Sequence, residues 1–232
     1  GLEDLRQMLD ALPPDHPIAV VMQRSKDFRH PDALADALLH PQDRAYTVPQ
    51  LFEWLNRAGM AHGRWFEQAP YLPQCGAIAT TPHAAHLGRL PLASQYAAME
   101  LFRGTMTKHR FIAYRQDHRD PPQPVQLLDE GSGRRGNRWQ GVIPIRLPWT
   151  VYLRDRPPVG AVAVLVNRAH SYADLTLPAD AEQLRLWEAI DGVRTLEEII
   201  TSAAGAVHPR RALRWFRRLW QYDQIVFDTS QA

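Results

Sequence analysis

The chain predicts an α+β fold, and three observations carry that reading. Apolar residues recur at helical spacing through most of the stretch before residue 115, and strand-like apolar runs gather between 142 and 177. Residues 178 to 228 then return to capped helices before one closing strand.

Leu2, Leu5, Met8, Leu9 and Leu12 share one helical face that Pro13-Pro14 ends. Asp15 is placed to cap a segment carrying Ile18, Val20, Val21 and Met22, and Pro31 opens another with Leu34, Ala37, Leu38 and Leu39. Thr47-Val48-Pro49-Gln50 combines an N-cap, an early proline and a glutamine at the capping-box position, so a helix starts there; Leu51, Trp54, Leu55 and Ala58 form its inner stripe and Gly59 stops it. Residues 63 to 81, with Trp65, Phe66, Tyr71 and Leu72 between prolines, read as an ordered loop. Leu92 to Phe102 returns to helix and Arg110 to Arg115 alternates as a strand. Residues 116 to 141 are polar and rich in Pro, Gly and Arg, the composition of a linker or long surface loop. Val142 to Val151, Ala161 to Val166 and Leu175 to Leu177 read as strands. Asp180 then starts a helix with Leu184, Leu186, Trp187 and Ile190, Thr195 caps a second, His208-Pro209 opens a third, and Gln224 to Phe227 closes as a strand. Helix, turn, helix, helix, strand is winged-helix order. The organisation is therefore a mainly helical region 1–115, a connection 116–141, and a region 142–232 with a short β part and a winged-helix-like unit. One arrangement lets the two regions close over a substrate about the connection; the other pairs strands 142–177 with Arg110 to Arg115 into a single body.

Composition excludes several classes. Hydrophobic residues are 45% and charged residues 22% of the 232, which suits a packed core. The longest apolar runs, Ile18 to Met22 and Gly160 to Val166, fall far short of a membrane-spanning helix. Cys75 is the single cysteine, so no disulfide can form within the chain and a cytoplasmic location is the default expectation. The formal charge of +2 gives no electrostatic signal for nucleic acid. Because Gly1 leads straight into an amphipathic helix, the sequence reads as an internal piece of a longer protein.

Three motifs have plainer explanations beside their functional ones. Gly131-Ser132-Gly133-Arg134-Arg135-Gly136 spells GxGxxG, yet no apolar strand precedes it and no helix can follow before Pro144, so it reads as loop. Cys75, His83 and His86 lack a fourth ligand at paired spacing, which argues against a zinc site, and Cys75 reads as a partly buried thiol rather than a nucleophile. Arg210, Arg211, Arg214, Arg217 and Arg218 lie along one helix, as in a groove-reading helix, or simply as a solvated face in a chain where only Lys26 and Lys108 are lysine.

Phe102-Arg103-Gly104-Thr105-Met106, followed by His109, resembles the Phe-Arg-x-Thr-hydrophobic-x-x-His signature of the predicted methyltransferase regulatory domain. Tyr46 to Ala69 resembles the same family, as an aromatic-led helix ending at an Ala-Gly-hydrophobic turn and returning through an aromatic-acidic segment. The likeness spans about residues 30 to 115; Ala69 to Pro82 and Ser94 to Glu100 depart from it. It implies a class I S-adenosylmethionine-dependent methyltransferase core upstream, with this chain a non-catalytic accessory that docks on that core and positions or admits a protein or peptide substrate. S-adenosylmethionine is then expected in the parent protein, while no catalytic residue, cofactor site or metal is assigned to this chain. Tyr46, Tyr71, Cys75, His83, Arg103 and His109 are the candidate substrate- or partner-binding residues. Ile190-Asp191-Gly192 and Arg194-Thr195-Leu196 with Ile199 also resemble the peptide-gripping winged helices of ribosomal-peptide maturation. The alternatives are therefore a nucleic-acid-binding regulator using the arginine helix, or a peptide-capture module.

Overall fold

The computed structural model describes residues 1–24, 27–42, 44–118, 127, 139–203 and 207–230. The fold is α+β, with helices joined to small antiparallel sheets. Helices α1 (Leu2–Asp10), α2 (Pro17–Arg24) and α3 (Pro31–Leu39) open the chain; Leu9 and Leu34 are buried there, outside the main core.

The main body starts at α4 (Val48–Arg57), where the capping box forms as the residues dictate: Thr47 N–H donates to Gln50 Oε1 at 3.0 Å. Strand β1 (Met60–Trp65) follows directly and pairs antiparallel with β2 (Phe111–Arg115), Trp65 opposite Phe111, with a bulge between His62 and Arg64. The first residues of the expected loop 63–81 thus belong to a strand. His62, Gly63 and Arg64 interrupt the apolar alternation, so pairing with β2 rather than local pattern decides that strand. Two short 3-10 turns and α5 (Pro82–Leu87) lead to α6 (Leu92–Arg103).

The expected strand 142–151 is two strands in different sheets. β3 (Ile143–Arg146) pairs with β7 (Ile225–Asp228), whereas β4 (Thr150–Leu153) pairs with β5 (Ala163–Asn167), which in turn pairs with β6 (Thr176–Ala179). Pro148 sits at the break, where Thr150 N–H closes a turn onto Leu147 O at 3.1 Å. Helices α7 (Ala181–Glu188), α8 (Leu196–Ser202) and α9 (Pro209–Gln221) complete the order, the first two behind capping boxes from Asp180 and Thr195.

The alternative in which strands 142–177 pair with β2 does not form among the described residues, where β2 pairs with β1. The two regions join through side chains instead. One hydrophobic cluster runs from Val48, Leu55 and Trp65 to Leu165, Leu177, Trp215, Phe216 and Ile225. Most of residues 116–141, GxGxxG included, lie outside the described residues, and Leu127 is buried in that same cluster.

Asp223 is the polar keystone of this join. Helix α9 ends in two backbone bonds, Asp223 N–H to Trp220 O at 3.1 Å and Gln224 N–H to Leu219 O at 2.8 Å, the pattern that requires a left-handed residue just past the helix. Asp223 holds that conformation, φ 51°, where glycine is the usual occupant. Its carboxylate explains the choice: it accepts the backbone N–H groups of Gln68 at 3.1 Å and Ala69 at 2.8 Å, lies 3.1 Å from His170 Nε2, and is 1% exposed. Asn167 Nδ2 donates to Asp223 O at 2.5 Å, and Gln68 Nε2 to Trp220 O at 2.6 Å. Asp223→Gly therefore loses stability although glycine suits the backbone: unpairing two buried N–H groups should cost about 3 kcal/mol and lower Tm by roughly 6–12 °C in a thermal melt.

Candidate functional site

The signature residues are built into two latches. Helix α6 stops at Gly104, whose left-handed φ of 65° turns the chain back toward His109. His109 Nδ1 lies 2.7 Å from the Tyr71 hydroxyl, and His109 Nε2 lies 3.1 Å from Tyr46 O and 3.3 Å from Glu100 Oε1. A carbonyl only accepts, so Nε2 carries a proton, and in the neutral ring Nδ1 accepts from Tyr71. Glu100 Oε2 meanwhile accepts from Val48 N–H at 2.8 Å, so one carboxylate ties the start of α4 to α6 and His109. The ring of Tyr71 stacks on Trp65 at 4.0 Å between centroids and 4° between planes, and burial raises the ionisation of its hydroxyl well above the usual range.

Arg103 makes the second latch. Its side chain is 3% exposed; Nη1 donates to Asp174 Oδ1 at 2.7 Å and Oδ2 at 2.9 Å, and Nε to Pro70 O at 3.4 Å. The guanidinium also sits over the Tyr172 ring at 4.7 Å. Asp174 Oδ2 further accepts from Ala77 N–H at 2.8 Å. Burial works against the Asp174 carboxylate, yet Ala77 N–H and Arg103 outweigh it and hold the group below its usual range. Gly76, φ 76°, is obligatory beside them: a Cβ there would meet Asp174 Oδ2 at 2.2 Å and Arg103 Nη2 at 2.9 Å. Cys75 is fully buried next door, its thiol donating to Gln221 O at 3.5 Å and its ionisation pushed far up by burial. Such a thiol is inert.

Over this second latch lies an open groove of about 820 Å³. Gly76 and Asp174 form its floor beside Tyr222, Arg89 and Arg218 bring two guanidinium groups, and Thr176 and Pro178 of β6 form one wall. Tyr222 accepts Gly76 N–H at 3.1 Å, which fixes the floor to α9.

Of the six candidate residues, Tyr46, Tyr71 and His109 converge directly, Arg103 joins them through the carbonyl of Pro70, and Cys75 packs behind the groove floor. His83 stays apart, exposed on α5, and with His86 also exposed while Cys75 is buried the three do not converge. The five arginines of α9 disperse: Arg211 binds Asp180 and Glu182 at 2.9 and 3.0 Å, Arg218 turns over Tyr222 into the groove, Arg217 is half-buried, and Arg210 and Arg214 are exposed. Sequence reasoning missed Glu100, Asp174, His170 and Asp223, each of which has a partner 52 to 155 positions away. No protein-family model matches the chain.

Two predictions follow from this geometry. Arg103→Met removes the clamp and leaves Asp174 partly solvated, so about 2 kcal/mol of stability should be lost with a lower Tm by calorimetry. His62, between Phe52 and Trp65, has its pKa pushed from 6.5 down to about 4 by burial. An unfolded chain binds that proton more readily, so this contribution to stability is complete above 6.5 and drains away as pH falls toward 4. His62→Phe should flatten the urea midpoint between those pH values relative to the parent.

Proposed function

We propose that this chain is a non-catalytic accessory part of an S-adenosylmethionine-dependent methyltransferase whose catalytic core lies upstream, and that it positions or admits the methyl acceptor. One observation carries the reading: Arg103 and His109 of the Phe-Arg-x-Thr-hydrophobic-x-x-His signature are largely covered and spent on holding the frame. Arg103 is engaged by Asp174 and Pro70, and His109 by Tyr46, Tyr71 and Glu100. A motif used in this way sets a scaffold, and the groove above Asp174 is what that scaffold presents. The antiparallel pairing of all described strands also fits an accessory role, since a class I core is built on parallel strands with crossover helices.

The arginine helix supports a nucleic-acid reader less well. Arg211 is committed to two carboxylates and Arg218 to the groove, so the five cations do not form one stripe. The winged-helix-like order α7, α8, α9, β7 is compatible with either role.

The test compares the parent enzyme with a version lacking residues 1–232. S-adenosylmethionine affinity by calorimetry should be unchanged, while kcat/KM for the methyl acceptor falls about tenfold or more, because positioning rather than chemistry is removed. Micromolar S-adenosylmethionine binding by the isolated chain, or an upstream reading frame with no methyltransferase core, overturns the proposal.

A further inference from the structure

The groove above the second latch brings hydrogen-bond donors together and leaves them short of acceptors. Asp174 is the only carboxylate among the described lining residues, and both of its oxygens are already engaged, by Arg103 Nη1 at 2.7 and 2.9 Å and by Ala77 N–H at 2.8 Å. Its charge is thereby offset by Arg103, whose side chain is 3% exposed. Arg103 Nη2 is left buried with no hydrogen-bond partner, 2.9 Å from the place that a Gly76 Cβ would take. Even behind the floor, then, donors outnumber acceptors.

Two further guanidinium groups line the same space. Arg89 follows α5, its N–H fixed to His86 O at 3.2 Å, and Arg218 stands on the last turn of α9 with its guanidinium 5.9 Å from the centre of the Tyr222 ring. Both residues are exposed, and neither forms an ion pair among the described residues. Tyr222 adds a hydroxyl at the floor. Its oxygen accepts Gly76 N–H at 3.1 Å, Arg218 sits against the same group, and burial raises its ionisation, so the proton stays on. No acceptor among the described residues takes that proton. The rest of the lining includes Ala77, Ala84 and Pro178, which have no polar side chain.

We infer that this groove binds a small organic phosphate monoester, its head held by Arg89, Arg218 and the Tyr222 hydroxyl and its apolar body laid against the alanine and proline lining. The charges decide the class. A cation is repelled by the two arginines, and a single carboxylate leaves one of them unmatched, whereas a phosphate monoester brings close to two negative charges and three acceptor oxygens for three donors. A volume of about 820 Å³ lies in the range of small-molecule sites. The inference depends on the groove alone, so its failure leaves the accessory reading standing, and that reading is decided in the parent enzyme.

Isothermal titration calorimetry of the whole chain tests it, with phenyl phosphate as probe at a pH where the ester is doubly ionised. Phenyl phosphate should bind with an affinity that falls as salt rises. Phenyl sulfate has the same shape and one negative charge fewer, and inorganic phosphate lacks the apolar body; each should bind about tenfold more weakly or less. These comparisons need no variant. Arg89→Gln and Arg218→Gln should each weaken phenyl phosphate about tenfold, the loss of one charged hydrogen bond, and both change exposed side chains, so melting curves stay unchanged. Absence of binding, equal binding of the sulfate, or binding untouched by both arginine substitutions overturns the inference. So does a phosphotyrosine peptide that binds more than about tenfold tighter than phenyl phosphate, which assigns the arginines to a phosphorylated polypeptide instead.

Discussion

A carboxylate buried at the end of a helix holds the two regions of this protein together. Asp223 leaves α9 in a left-handed conformation and reaches across to the backbone of Gln68 and Ala69 and to His170. Removing a carboxylate from water costs several kcal/mol, and only convergent donors offset that cost. Two N–H groups and an imidazole supply them, with Arg64 Nη2 4.0 Å away and its guanidinium over Trp220 at 5.4 Å. Burial lowers the pKa of Arg64 while Asp223 works against that shift, so each charge makes the other tolerable. Apolar packing supplies the bulk of the attraction between the regions, but it does not specify one relative placement. The Asp223 network does.

The same economy appears at the two latches. Arg103 reaches both oxygens of Asp174 through Nη1 and the carbonyl of Pro70 through Nε, with Tyr172 beneath its plane. A buried histidine has one donor and one acceptor when neutral, and His109 finds a partner for each in Tyr46 and Tyr71. Each of these groups is fixed by partners from several elements, and the groove beside them inherits that fixed geometry. The groove floor, Gly76 and Asp174, is positioned by Arg103, Ala77 and Tyr222 together.

Surface and interior of the β4, β5, β6 sheet obey different rules. Its inner face is closed by the common core, where Leu165 and Leu177 are fully buried. The outer face keeps the same kind of side chain, with Val151, Val164 and Val166 partly buried and Trp149 and Leu153 exposed. An apolar run such as Ala161 to Val166 gives no local clue to which of its faces is covered, because alternation is the only signal that separates them.

The sequence by itself determined the elements whose signals are local. Thr47, Asp180 and Thr195 capped helices where their side chains predict, His208-Pro209 opened α9, and Gly104 ended α6, because caps and left-handed stops are decided by a few neighbouring residues. Tyr46, Tyr71, Cys75, His83, Arg103 and His109 were legible only as separate candidates, and which of them share hydrogen bonds came from the tertiary structure. Only the tertiary structure decided that β1 is a strand, that residues 142–151 divide between two sheets, and that Asp174 and Asp223 are the partners on which the latches and the join rest. Strand pairing and buried ion pairs are made between residues far apart in the chain. Their free energy appears only once packing has removed the water around them, so no local pattern of residues encodes it.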